Sequence, residues 1–145
     1  YDQMKNKGFR TLAGYIFGNN QQNMKISMTS PVRFSENRDE VRMSFVMPSE
    51  MDIENLPEPG DERIHLHRTD PVYVASLKFG GYSSDAKIEA RKKELMLILQ
   101  HKGIKYSNDF EYLGYNPPYK IFNRRNEVIV FLPGFEPGMI KTAVR

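Results

Sequence analysis

Residues 72–103 read VYVASLKFGGYSSDAKIEARKKELMLILQHKG, and this stretch decides the fold class because a strand pattern leads directly into a helix pattern. Strict alternation of two sets of side chains predicts a β-strand over residues 72–79, and a pair of glycines ends it. Ser84 has the chemistry of a helix N-cap and Gly103 that of a helix stop, so we predict a long helix over residues 84–102. The chain therefore mixes strands and helices.

The same two patterns recur on both sides of this stretch. On the C-terminal side, alternation predicts strands over residues 110–115 and 127–132, separated by a loop that begins with Asn116-Pro117-Pro118. On the N-terminal side, we predict a helix over 9–17, a strand over 24–29, a charged loop over 35–40, a strand over 41–47, an acidic loop over 49–62 and a short strand over 63–68.

This order contains a weak internal repeat, in which a helix is followed by a strand, a loop and a second strand. The second copy is preceded by the strand over residues 72–79, whereas the first copy has no strand before its helix. We therefore expect that an opening strand is missing from the first half. In that case one sheet edge is exposed, or another segment completes it.

Composition excludes several classes of protein. The 145 residues fit one domain, and the absence of cysteine excludes disulfides and thiolate metal sites. The net charge of +3 slightly favours an anionic small ligand and is too mild for a nucleic-acid partner. No apolar run approaches the roughly 20 residues of a membrane span. We favour a soluble, cytoplasmic protein, although a targeting segment could have been lost upstream because the chain lacks an initiator Met.

Sequence motifs of catalysis are absent, including the nucleophile elbow, the P-loop and the zinc-protease helix. Glu111 and Glu127 fall on predicted strands, where a glutamate is more often a surface residue. We predict that the chain is not an enzyme. His65, His67 and His101 are predicted to be exposed rather than to bind metal, so we expect no metal site.

Six stretches in this order resemble the SOUL haem-binding protein family over roughly residues 8–132. They are FRTLAGYIFGNN (9–20), KISMTSPV (25–32), MSFVMP (43–48), FGGY (79–82), GYNPP (114–118) and RRNEV (124–128). The resemblance implies an α+β domain over residues 1–132, incomplete at its N-terminus, with a C-terminal tail over 133–145. It implies a twisted antiparallel sheet curled into a distorted β-barrel, built from two βαββ halves and flanked by two helices.

The resemblance also implies a function, which is reversible, non-covalent binding of haem or a related tetrapyrrole by a carrier or buffer. Haem would then be the cofactor. Two alternatives stay open: a protein-interaction module that uses the open sheet edge to bind a partner or a second copy, and a small-molecule effector-binding domain.

Candidate ligand contacts come from two places in the sequence. Lys7, Thr11 and Tyr15 form a polar row on the first helix, which lines a cleft or is an ordinary solvated face. Tyr119 and Lys120 lie in the loop that the prolines stiffen, at the place where family members carry a basic or polar residue. Arg124 and Arg125 have the chemistry to pair with a ligand carboxylate, or else with Glu127 to shape the hairpin.

Overall fold

The computed structural model describes residues 2–37, 40–117 and 119–139, with two helices and five strands. The elements are α1 (Asp2–Ile16), β1 (Val32–Asn37), β2 (Glu40–Phe45), β3 (Val74–Gly80), α2 (Asp85–His101), β4 (Phe110–Gly114) and β5 (Arg125–Phe131), with short 3₁₀ turns at Ile53–Asn55 and Pro137–Met139. No helix in the described part of the chain is long and apolar enough to cross a membrane.

The five strands form one antiparallel sheet in the order β2-β1-β4-β5-β3. The predicted α+β class, the antiparallel sheet and the two helices are confirmed. The sheet is open in the described residues, with β2 and β3 at its edges. Closure into a barrel and division into two βαββ halves stay predictions.

One hydrophobic core lies between α2 and the strands β3 and β5. The helix begins where predicted, because the Ser84 hydroxyl accepts a hydrogen bond from the Lys87 N–H at 3.2 Å and thereby caps the first turn. Leu95 and Leu99 pack onto Val128 and Val130, which belong to the same buried cluster. The helical spacing of Ile88, Leu95, Ile98 and Leu99 predicts one buried stripe on this helix, but Ile98 is 37% exposed.

A second core lies under the C-terminal half of α1. Tyr15 and Ile16 pack with Ile26 and Ile64, which come from the loop segments on either side of the β1–β2 hairpin. The helix begins at Asp2, earlier than predicted.

Two predicted strands are wrong, because each segment packs as loop against this second core. In residues 24–29, only Ile26 is buried, and its N–H donates to the Ile16 carbonyl at the end of α1. In residues 63–68, Ile64 is buried and Leu66 packs beside it, while the other four residues are exposed. Alternation thus reported one-sided burial correctly, although neither segment pairs in the sheet.

The predicted charged loop over residues 35–40 is also wrong, because most of it belongs to a β-hairpin. Ser35 pairs with Arg42 and Glu36 with Val41, so β1 extends to Asn37. Polar side chains fit a strand that has one face in solvent, as edge hairpins do. Arg38 and Asp39 lie outside the described residues.

The beginning of the predicted C-terminal tail packs on the first core. Phe135 contacts this cluster, and its ring lies 5.5 Å from that of Tyr73 between centroids. The Leu132 N–H donates to the Tyr73 carbonyl at 3.0 Å. Residues 140–145 of the predicted tail lie outside the described residues.

Candidate functional site

All five strands have one end at the same side of the sheet. Val32, the first residue of β1, pairs with Phe45 at the end of β2 and with Gly114 at the end of β4. Gly114 also pairs with Asn126 near the start of β5, where Arg125 pairs with Gly80 at the end of β3. We call this side the Gly114 end. The β4–β5 connection, residues 115–124, leaves the sheet here beside the turn that joins β3 to α2.

Arg124 holds this connection in shape. One terminal nitrogen of its guanidinium, Nη1, donates to the Pro117 carbonyl at 2.8 Å and to the Lys120 carbonyl at 2.7 Å. The guanidinium carbon also lies 4.3 Å from the centre of the Tyr82 ring, a cation–π contact. Arg124 therefore ties the loop to itself and to the neighbouring turn. Pro118 lies outside the described residues.

The outermost part of this connection, which we call the loop tip (residues 119–122), exposes three large side chains. Tyr119 is 83%, Ile121 65% and Phe122 79% exposed, and Lys120 between them is exposed as well. Soluble proteins seldom display contiguous apolar side chains without a binding role. The loop tip is therefore the strongest candidate for a contact surface in the described part of the chain.

Beside the loop tip, Arg125, Glu127 and Tyr115 form a polar cluster. Arg125 Nη2 donates to Glu127 Oε1 at 2.6 Å, the Tyr115 hydroxyl donates to Glu127 Oε2 at 3.0 Å, and the Arg125 guanidinium lies over the Tyr115 ring. The interpretation that one arginine pairs with Glu127 to shape the hairpin is thus confirmed for Arg125.

The prediction that Glu127 is a surface residue is wrong, because its side chain is only 7% exposed. Burial raises its pKa, but hydrogen bonds from Arg125 and Tyr115 outweigh burial and hold the pKa below its usual value. Burial and the bond to this carboxylate raise the pKa of Tyr115. Glu127 is therefore ionised at neutral pH and joins Arg125 to Tyr115.

Glu111, the other glutamate on a predicted strand, also has an arginine partner. Arg33 donates to Glu111 Oε2 through Nη2 at 2.7 Å and through Nε at 2.9 Å, across the β1–β4 pair. Both carboxylates thus join neighbouring segments of the sheet.

The helix candidates do not form one row at the Gly114 end. Tyr15 is 2% exposed, and its hydroxyl donates to the Pro57 carbonyl at 2.7 Å, so it belongs to the second core. Phe9 contacts Phe45 at the Gly114 end. Lys7 and Thr11 are each two positions from Phe9, about 200° around the helix, and so lie on a different side of α1. The Thr11 hydroxyl donates to the Lys7 carbonyl at 3.0 Å.

A separate recess lies between α1 and α2, over the face of the sheet that both helices cover. Its floor is the stacked pair Phe34 and Tyr112, whose ring centroids are 5.5 Å apart. At its rim Lys5 pairs with Asp85 at 2.9 Å, and Lys92 with Glu89 at 2.8 Å. Its volume of about 220 Å³ lies below the roughly 300–1,000 Å³ of typical ligand pockets.

In the described residues, no group of three or more His, Asp or Glu side chains is placed to hold a metal ion. His65 and His67 are exposed in the loop segment over residues 63–68, and His101 is the last residue of α2.

Comparison with known proteins shows the family of the chain. A family model described as "SOUL heme-binding protein" matches residues 1–131. The chain belongs to the SOUL haem-binding protein family.

Similar members of the SOUL family carry haem-binding names. The chain is 31% identical to Heme-binding protein 1 of Sus scrofa over 121 residues, which cover 79% of this chain and 64% of that protein. It is 33% identical to Heme-binding protein 2 of Homo sapiens over 138 residues, which cover 88% of this chain and 66% of that protein. The chain thus spans about two thirds of the length of these relatives.

Sequence reasoning missed three residues in and around the loop tip. They are Ile121 and Phe122 in the loop tip itself and Tyr82 beneath Arg124. A signal for the first two was present, because two large apolar residues stand between a proline pair and an arginine pair, in a stretch without strand alternation. Apolar residues in such a loop are either core-facing or exposed for contact, and only the structure distinguishes the two.

Proposed function

We propose that the chain binds haem or a related tetrapyrrole reversibly and non-covalently, with the loop tip as the main contact. The observation that carries the proposal is the exposure of Tyr119, Ile121 and Phe122 next to Lys120. A tetrapyrrole needs an apolar surface for its ring and cations for its propionates. The loop tip offers an apolar surface and one cation, Lys120, within four residues.

Charge around the loop tip supports an anionic ligand. Between Glu111 and Glu127 the chain has three cations and no acidic residue. Lys120 is exposed and offers its ammonium to a propionate. The side chain of Arg125 is half exposed, but its charge is balanced by Glu127, so Lys120 is the main cation of this surface.

Exposure of the loop tip favours reversible surface contact. The recess between the helices, with a volume of about 220 Å³, is smaller than a typical ligand pocket. A ring lying on the loop tip keeps one face open to exchange, as a carrier or buffer requires. Tyr119 offers a phenol oxygen as an axial ligand, while apolar contact and propionate pairing supply most of the affinity.

The test is a haem titration followed by Soret absorbance, with the wild type, Lys120→Glu and Phe122→Ser. We expect saturable one-to-one binding by the wild type. Losing one charge-assisted contact worth about 1.5–3 kcal/mol weakens affinity roughly tenfold or more, and Phe122→Ser has an effect of similar size. Lys105→Glu, an exposed lysine in the α2–β4 connection at the opposite side of the sheet, is the matched control and leaves affinity unchanged.

Two results would refute this assignment. An unsaturable response that all variants share would mean that haem adsorbs without a site. Loss of affinity in Lys7→Glu or Thr11→Val, with Lys120→Glu unaffected, would move the site to the first helix.

A further inference from the structure

We infer that the loop tip is also a docking element for a lipid bilayer that carries anionic headgroups. This inference goes beyond tetrapyrrole binding and does not depend on it, because the exposed side chains and Lys120 carry it by themselves. It rests on the exposure, chemistry and rigidity of residues 119–122 and on the cations that surround them.

The side chains of the loop tip match the layers of a membrane interface. Ile121 and Phe122 are apolar and project from the surface, since more than half of each is exposed. Tyr119 has an apolar ring with a polar hydroxyl, the combination that is enriched at the headgroup level. Lys120 has a long aliphatic stem that places its ammonium among lipid phosphates while the stem stays in the apolar layer.

Charge selects the kind of bilayer. Lys120 lies between Tyr119 and Ile121, and no acidic residue occurs between Glu111 and Glu127. Arg125 is paired with the buried Glu127, so this pair is close to neutral and Lys120 supplies the main positive charge of the loop tip. Each basic residue near an anionic surface strengthens binding about fivefold, which corresponds to about 1 kcal/mol.

Rigidity favours insertion, because the loop has its shape before it meets a partner. The two carbonyl contacts of Arg124 and its stacking on Tyr82 fix the base of the loop tip. The N–H of Arg125 also donates to Asn116 Oδ1 at 2.6 Å. Little conformational entropy is then lost when the loop tip enters a membrane interface.

The size of the surface favours lipid over a protein partner. A stable protein interface buries about 800 Å² on each side and uses roughly 20–30 residues. The loop tip presents three apolar side chains on a narrow projection, which is enough for shallow insertion into a bilayer.

The experiment is flotation of the haem-free chain with phosphatidylcholine vesicles, with and without phosphatidylserine. We expect the wild type to float with the anionic vesicles, and raised salt to reduce binding. Phe122→Ser lowers the partition coefficient about tenfold, and Lys120→Glu lowers it by a similar factor or more. The matched control is Phe17→Ser, which removes an exposed phenylalanine from the end of α1 and leaves binding unchanged.

Folding of each variant is checked by circular dichroism. The inference is overturned if folded wild-type chain does not float with anionic vesicles, or if Phe122→Ser floats as well as the wild type. It is also overturned if the wild type does not float but forms a dimer that Phe122→Ser abolishes, because the loop tip would then be a protein contact. If the chain fails to float but binds haem normally in the Soret titration, the tetrapyrrole proposal stands. If the chain floats but does not bind haem, the membrane inference stands.

Discussion

The buried carboxylate of Glu127 gives the sharpest prediction about stability. Glu127→Gln keeps the size of the side chain and one acceptor oxygen, but it removes the charge that Arg125 and Tyr115 contact at 2.6 and 3.0 Å. Hydrogen bonds to a charged group are worth about 1.5–3 kcal/mol each. Since the Arg125 side chain is half exposed, solvent screening places the expected loss at the lower end, about 1.5–2 kcal/mol at pH 7.

This loss depends on pH, and its sign follows from the direction of the shift. The folded-state pKa of Glu127 lies below the value of 4.5 for an ordinary glutamate. The carboxylate therefore stabilises the fold fully above that value, and its contribution disappears as pH falls through the folded-state pKa. The difference between wild type and Glu127→Gln is largest at neutral pH and shrinks below about pH 4.5.

Urea unfolding at a series of pH values measures this difference. Glu54→Gln is the matched control, because Glu54 is 73% exposed and its ion pair with Arg68 is a surface pair. We expect the control to change stability by less than about 0.5 kcal/mol at every pH. A Glu127→Gln variant as stable as the wild type at pH 7, or a loss that stays constant down to acid pH, would refute the reasoning.

Two further predictions concern buried hydrogen bonds. Asn126→Leu should lower the free energy of unfolding by about 2–4 kcal/mol. The reason is that the Asn126 amide donates to the Gly81 carbonyl at 2.8 Å and accepts from the Tyr112 hydroxyl at 2.7 Å. A midpoint of urea unfolding close to that of the wild type would contradict this prediction. Tyr15→Phe should cost about 1–2 kcal/mol through the lost bond to the Pro57 carbonyl and leave haem affinity unchanged, and a weakened Soret titration would instead make Tyr15 a ligand contact.

Much of the fold could be predicted because its signals are local. The Ser84 cap and the helical spacing of apolar residues in α2 predict the start of that helix to within one residue. Alternation located β3, β4 and β5, since each has one face against a core.

The errors have one cause, which is that alternation reports burial and not pairing. The segment around Ile26 alternates because one side chain faces a core, yet its backbone lies against the end of α1 instead of a strand. Conversely, the polar residues at the β1–β2 turn pair normally although they contain little apolar signal. The alternation of side chains therefore locates buried faces and does not show which backbone segments pair.

Part of the candidate site could be predicted from the sequence and part could not. The resemblance pointed to the loop that contains Lys120, and the structure adds Ile121 and Phe122 as its exposed apolar members. Tyr15 is covered by a loop that helical periodicity cannot identify, and the role of Lys7, Thr11 and Tyr15 in ligand binding stays a prediction. Glu127 was misread because a strand position gives no information about the arginine and tyrosine that cover it.

The place of β1 beside β4 has a consequence for the order in which the chain assembles. The hairpins β1–β2 and β4–β5 join residues that are close in sequence, whereas Val32 and Gly114 meet only after most of the chain has been brought together. Contacts of high sequence separation form late because closing long loops costs entropy first. The unit of β3, α2, β4 and β5 contains its own core and is the natural nucleus. Amide hydrogens along the β1–β4 seam should consequently exchange with solvent sooner than those between β3 and β5, and partial opening would release the N-terminal part first.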